Sequence, residues 1–278
     1  MKSSLTGSQR PLVVTTAPSG DPAEARELAD RFGLRAEFRS DKRVADLLRE
    51  AIGAPVLVLG SRRADLHERG RTYRATVGMA FLRVLRLRKG ETDPLVANAA
   101  LRPGDSVLDA TLGLGGDALV CAQVTGSPVL GLEMNPTIAA FTQAALRRLP
   151  RQAREPARLI HVIRADHREW LKRQPTGSFD VVLLDPMFRR TGDAAPLFEL
   201  LRAHAEHSPL DPQTLCEAQR VARRGVLVKD AARGEELERL GLVPRLSRRS
   251  ASIAFGWAPA WRKSAVAKTA SPEHKPRP

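Results

Sequence analysis

Only two cysteines, Cys121 and Cys216, occur in 278 residues; they lie far apart, and neither has a histidine beside it at a ligand spacing. That scarcity excludes a disulfide framework and a local zinc motif, and both thiols are expected to be buried. Acidic histidine partners are missing too: His204 and His207 have no carboxylate at a metal-binding spacing, so they are expected at the surface and no metal site is expected. No apolar run approaches the ~18 residues that a membrane span requires, and the Met1-Lys2-Ser3-Ser4 start lacks the apolar core of a secretion signal, which makes a cytoplasmic location the default. Acidic residues are also in short supply. The chain has 31 against 45 basic ones, a formal charge of +14, and a surface so positive favours a polyanionic partner such as RNA or DNA.

A hydrophobic content of 42% supports one main α/β core with a smaller attachment. Residues 11–59 read as a small α/β unit. Its elements are a strand at Leu12–Thr15, a helix from Pro22 to Phe32 opened by Asp21, an extended run near Ala36–Phe38, a helix over Asp41–Ile52 and a buried strand at Pro55–Leu59. Nothing in it implies chemistry, so its expected role is packing or RNA positioning. From Ser61 to Gly90 the chain is strongly basic, and in Met79–Arg88 the apolar Phe81, Leu82 and Leu85 alternate with Arg83 and Arg86 at helical spacing. The arginines are expected to form a solvated face, which beside an active site becomes a phosphate track.

The main domain opens at Asp93-Pro94, the start of a helix running to Leu101, followed by the Arg102–Asp105 turn. Strands expected at 106–110, 128–132, 158–163, 180–184, 224–228 and 250–256 alternate with helical segments, the pattern of a Rossmann-like, doubly wound, mainly parallel sheet. The chain thus divides into an N-terminal α/β unit with its basic segment (1–90), a ligand-binding domain (91–257) and a disordered basic tail (258–278). That tail carries a net +4, so +10 remains on the rest.

Three strand ends carry the chemistry. Val107-Leu108-Asp109 feeds Thr111-Leu112-Gly113-Leu114-Gly115-Gly116-Asp117, and glycines there let a nucleotide-like ligand approach bare backbone. Alone this turn is a weak signal, since similar turns hold NAD, FAD and phosphates. An acid at each end, Asp109 and Asp117, disfavours a pyrophosphate and suits a cationic cofactor such as S-adenosyl-L-methionine; the plain alternative for Asp117 is a helix N-cap. Glu133 closes the next strand, about 20 residues on, where a carboxylate can accept ribose hydroxyls, or else is an exposed acid before Asn135-Pro136. Asp166 is either an acceptor for an adenine amine or the cap of the next helix.

The third end, Asp180-Val181-Val182-Leu183-Leu184-Asp185-Pro186-Met187-Phe188, combines a carboxylate, a rigid turn and an aromatic face. An exocyclic base amine is a poor nucleophile because its lone pair is delocalised; Asp185 and a carbonyl fixed by Pro186 can orient it while Phe188 stacks on the base. The competing reading is an ordinary Asp-Pro turn with Phe188 in the core. Arg189 and Arg190 are candidates for substrate phosphates, and Lys229 or Asp230, after Val226-Leu227-Val228, for the base pocket.

Taken together, these segments resemble class I S-adenosylmethionine-dependent methyltransferases with an Asp/Asn-Pro-Pro-aromatic type of motif. More narrowly, Asp93–Lys229 looks like the family of 16S ribosomal RNA guanine-N2 methyltransferases, on Val107–Gly113, Leu132-Glu133-Met134-Asn135-Pro136, Asp180–Phe188 and Val226–Lys229. Val13–Thr16 and Lys89–Pro94 look like uncharacterised bacterial methyltransferases of the same broad family. The resemblance implies a Rossmann-like fold, S-adenosyl-L-methionine as cofactor, and ribosomal RNA or the small ribosomal subunit as partner. It implies cofactor contacts from Asp109, Thr111, Gly113, Gly115, Gly116, Asp117, Glu133, Met134, Asp166, His167 and Asp185, catalysis by Asp185, Pro186 and Phe188, and substrate contacts from Arg189, Arg190 and Lys229. Arg189-Arg190 stands where a Pro-His pair is usual, the Gly-rich turn is longer and the tail is basic, which leaves the target nucleotide open. A dinucleotide-dependent oxidoreductase and a non-catalytic RNA-binding protein stand as the competing classes at this point.

Overall fold

Short apolar runs with no polar interruption become strands buried on both faces, and two sheets form from them in the computed structural model, which describes residues 11–38, 42–51, 53–186, 196–204, 208–246 and 252–261. The expectations for Phe188, Arg189, Arg190, His207 and the tail from 262 lie outside the described residues. The first sheet contains β1 (Val13–Thr16), β2 (Arg35–Ala36), β3 (Val56–Leu59), β4 (Ala64–Glu68) and β5 (Arg71–Arg74) in the order β2-β1-β3-β4-β5. Its first three strands are parallel, while β3-β4 and β4-β5 pair antiparallel.

The β4-β5 hairpin was hidden by charge. Ala64, Leu66, Glu68 and Tyr73 point inward, whereas the intervening arginines are exposed, so an alternating strand read as one basic run. Arg69 and Gly70 join the strands with φ of 49° and 72°, the left-handed pair that a two-residue hairpin turn requires.

The second sheet holds β6 (Val107–Asp109), β7 (Val129–Glu133), β8 (Ile160–Arg164), β9 (Phe179–Leu184), β10 (Ala222–Ala231), β11 (Arg245–Leu246) and β12 (Ile253–Pro259), ordered β11-β12-β10-β9-β6-β7-β8. Strands β6 to β10 run parallel, and β12 returns antiparallel along β10. The chain leaves β6 towards β7 and β8 and comes back to β9 on the other side. The switch point therefore lies between β6 and β9, where a doubly wound sheet opens a crevice at its carboxyl ends. Strand β12 continues to Pro259, two residues into the stretch that composition assigned to the tail.

One core runs through both sheets. Leu12, Val14, Phe32, Leu57 and Leu66 of the first belong to the same buried cluster as Val107, Phe141, Ala144 and Ile160 around the second. Polar staples close the same interface: Arg31 donates to the Val162 carbonyl and Arg164 to the Phe32 carbonyl, each at 2.8 Å. Arg148, its side chain only 6% exposed, donates to the Gly60 carbonyl at 2.8 Å and to both oxygens of Glu24 at 2.8 and 2.7 Å. Cys121 is buried as expected, but Cys216 is exposed, on the outward face of a helix (Pro212–Val221) whose Thr214, Leu215, Ala218 and Val221 face inward. Among the described residues, no helix is long and apolar enough to cross a membrane.

Arg148→Ala leaves the Gly60 carbonyl without its donor and Glu24 with only the longer 3.5 Å contact from Arg147 at a nearly buried site, and is expected to cost about 2–4 kcal/mol. Urea unfolding checks this; a change below about 0.5 kcal/mol, the size typical of a surface substitution, would mean the Arg148 staple adds nothing to the hold between the two sheets.

Candidate active site

Asp109, Glu133 and Asp185 stand at or just beyond the carboxyl ends of β6, β7 and β9, around the switch point. Between the first two, Leu112 folds over Gly131, where a Cβ would come within 2.5 Å of the Leu112 Cδ1. Gly113 and Gly115 take φ of 51° and 73°, and the buried Thr142 hydroxyl holds the turn by donating to the Gly113 carbonyl at 2.7 Å. Glu133 ties the turn to its strand. One oxygen accepts from the Gly113 N–H at 3.2 Å and the other from the Asn135 N–H at 2.8 Å.

Asp109 is 3% exposed and accepts from the Thr111 N–H at 3.2 Å. Burial, with the Asp117 and Asp185 carboxylates adding to it, pushes its carboxyl up to about 7. Burial likewise pushes Glu133 up to about 7. Both acids are thus held by backbone N–H groups and destabilised as anions, a donor set that fits a ligand bringing hydroxyls and positive charge.

Asp117 is not the helix cap, because the N-cap of the helix Gly116–Thr125 is Gly115. Its carboxylate lies between Arg83 Nη1 and Lys229 Nζ, each at 2.6 Å, and these cations hold it down at about 2 against the opposing effect of burial. Arg83 in turn donates to Asp93 at 2.8 and 2.9 Å, and Lys229 reaches Asp185 Oδ2 at 2.5 Å. One expectation fails here: Arg83 faces the crevice instead of forming part of a solvated face. Asp93 opens its helix as expected, accepting from the Leu95 N–H at 3.0 Å, and also holds Arg83. These links of Arg83 were missed because its partners lie 10 and 34 positions away in other segments. Asp185 also donates its N–H to the Thr111 hydroxyl at 2.6 Å, and its side chain is 38% exposed.

Other predicted residues take their partners outside this network. Asp166 caps the helix His167–Lys172 and is held by Arg168, which pulls its carboxyl below the usual range. Burial pushes His167 down, and the exposed Met134 sulfur lies 3.9 Å from Arg168 Nη2. A concavity lined by Asp166, Arg168, Asp211 and Glu217 opens beside β8, but includes none of Gly113, Glu133 or Asp185. Asp230 is turned away from the base side: it caps the helix Glu235–Arg239 by accepting from the N–H groups of Glu236 and Leu237 at 2.8 and 3.2 Å. His204 is not a surface residue; its side chain is 1% exposed and its Nε2 lies 2.8 Å from Glu68 Oε2. No cluster of three metal-ligating side chains occurs among the described residues.

Residues 55–247 match the family described as "Putative SAM-dependent methyltransferase", SAM being S-adenosyl-L-methionine. The uncharacterised protein YpiP of Bacillus subtilis is 32% identical over 223 residues, covering 78% of this chain and 86% of that one. Ribosomal RNA small subunit methyltransferase J of Laribacter hongkongensis is 41% identical over 128 residues, so this chain spans less than half of that relative (45%), through 44% of its own length. A solved SAM-dependent methyltransferase from Neisseria gonorrhoeae shares the fold, with a TM-score of 0.62 at 22% identity over 90% of this chain and 96% of that one.

Asp109→Asn tests the electrostatics without ligand. The native carboxyl titrates near 7 and the unfolded one near 3.8, so the ligand-free protein loses stability as pH rises between those values and keeps that loss above 7. The variant does not titrate there, and its stability advantage is expected to widen by roughly 3 kcal/mol from pH 4.5 to 8. Urea unfolding at both pH values reads this; an advantage that does not change with pH would mean the Asp109 carboxyl is well solvated.

Proposed function

The chain belongs to the SAM-dependent methyltransferase family, and from that premise we propose that it methylates an exocyclic amine of a nucleobase, guanine N2 of 16S ribosomal RNA. It is an enzyme whose cofactor is S-adenosyl-L-methionine. The observation that carries the base-amine reading is Asp185, half open at the tip of β9, with one oxygen held by Lys229 and no other side-chain hydrogen bond among the described residues.

The cradle suits the cofactor. Gly113, Gly115 and Gly116 keep side chains out of the turn, Glu133 retains lone pairs for ribose hydroxyls, and the excess of carboxylates at Asp109, Asp117 and Asp185 favours a cation. Thr111, Met134, Asp166 and His167 complete the assigned cofactor set. When bound, the cofactor supplies an electrophilic methyl group carried on a sulfonium. Asp185 accepts a hydrogen of the target amine, turns its lone pair out of conjugation and takes the proton it gives up. Lys229 keeps that carboxylate oriented, through the cation that also neutralises Asp117. Pro186 sets the backbone beyond Asp185, Phe188 stacks on the base, and Arg189 and Arg190 meet phosphates.

RNA as the partner rests on the +14 charge, on the exposed Arg62, Arg63, Arg69, Arg71 and Arg74 of the hairpin region, and on the name of the Laribacter relative. A ribosomal RNA target in turn implies a cytoplasmic location. Residues 1–90 are assigned to RNA positioning and, through Arg83, to support of the site, and 91–257 to the chemistry.

Asp185→Ala is expected to lower kcat by about 10²- to 10³-fold while leaving the affinity for S-adenosylhomocysteine within a few-fold. Small subunits from a strain lacking the gene, incubated with labelled cofactor and mapped by mass spectrometry, should carry the label on guanine N2. Full turnover by the variant, or label on another atom, overturns the assignment.

A further inference from the structure

The first sheet reaches the cofactor side of the molecule through a buried histidine. Asn135 caps the helix Pro136–Arg147, its Oδ1 accepting from the N–H groups of Thr137 at 2.9 Å and Ile138 at 3.3 Å. The cap fixes which way the amide points, so its Nδ2, a donor only, faces His204: 3.1 Å to the ring Nδ1 and 3.3 Å to the His204 carbonyl. A donor at that distance requires a bare Nδ1. The ring hydrogen must then sit on Nε2, where Glu68 Oε2 accepts it at 2.8 Å. Glu68 is 8% exposed, at the inward end of β4, and Arg69 lies 3.7 Å from its other oxygen. A second tie joins the same hairpin to the same helix, since Arg71 of β5 pairs with Glu199 of the helix Pro196–His204.

We propose that His204 is a positioning residue for cofactor binding: Glu68 selects its Nε2–H tautomer, and its bare Nδ1 fixes Asn135, whose N–H anchors the Glu133 carboxylate. The relay Glu68–His204–Asn135–Glu133 ends on the Gly113 N–H of the glycine turn. The first sheet is therefore part of the cofactor site, and the helix bearing His204 is tied to the ribose-side acid. This rests on the reading of Glu133 as the ribose acceptor.

Calorimetric binding of S-adenosylhomocysteine to the full chain, well below its unfolding temperature, tests the relay. His204→Phe keeps a ring and removes both hydrogen bonds, and is expected to weaken binding about tenfold, the effect of one lost buried hydrogen bond. His204→Asn places an amide oxygen where Nδ1 stood and should recover most of that loss. Where His204→Phe does not fold, Asn135→Asp keeps the helix cap but sets an acceptor against the bare Nδ1, and a similar weakening is expected at pH 8. In steady state the KM for the cofactor should rise while the KM for RNA stays unchanged. Wild-type affinity in His204→Phe or Asn135→Asp, with Glu133→Gln clearly weakened, overturns the relay and leaves the Glu133 reading intact. Undiminished binding by Glu133→Gln overturns that reading and the relay with it.

Discussion

Five charged side chains joined end to end, Asp93–Arg83–Asp117–Lys229–Asp185, hold the switch point together. Each belongs to a different segment: the residue before the helix Pro94–Ala99, the helix Ala80–Arg88, the helix after the glycine turn, β10 and the tip of β9. Carboxylates so close and so poorly hydrated repel one another, and two cations shared among three acids bring them within reach of a common centre. Such a chain adds little net stability, because desolvation offsets most of its attraction, but it specifies orientation. Lys229 shows why this matters. Bonded to Asp117 on one side and Asp185 on the other, it makes the direction of the Asp185 carboxylate depend on the helix that follows the glycine turn.

Asp109 stands outside that chain of pairs, and so does Glu133. Neither has a side-chain cation bonded to it among the described residues, and both are held by backbone N–H groups, those of Thr111 and Gly113 along the glycine turn and that of Asn135 at the next helix cap. Asp166 behaves in the opposite way. Its partner Arg168 lies two residues on, so the local sequence already satisfies it and its carboxyl falls below the ordinary range. Acids left in a raised state by burial gain most from a ligand that brings hydroxyls or positive charge, and the site concentrates them on the face where the glycines leave room.

The parallel sheet, the glycine turn and the acids at three strand ends were legible because each depends on neighbours in sequence: apolar runs, positive φ at glycine, a carboxylate after a strand. What depended on distant neighbours was not. Arg83 has the helical spacing of a solvated residue, and only the approach of Asp93 and Asp117 turns it inward. His204 has no acid at a metal-binding spacing in sequence, yet Glu68 arrives from 136 positions upstream. The hairpin failed for another reason: its inward positions include a charged residue, Glu68, so alternation of apolar and polar types was broken where the functional link begins.

That break explains how the first sheet is attached. A sheet placed only for packing would bury apolar side chains at each inward position of its outer hairpin. Here β4 instead directs a carboxylate inward at its last residue, at the cost of desolvating it, and the cost is offset because His204 donates to one oxygen while Arg69 lies 3.7 Å from the other. A buried acid on β4 and a buried imidazole at the end of the helix Pro196–His204 satisfy each other and make the position of the first sheet and that of the helix conditions for one another. The continuous apolar core and the Arg148 staple bring the surfaces together, and the Glu68–His204 pair sets their register where β4, the end of the helix Pro196–His204 and the Asn135 cap converge.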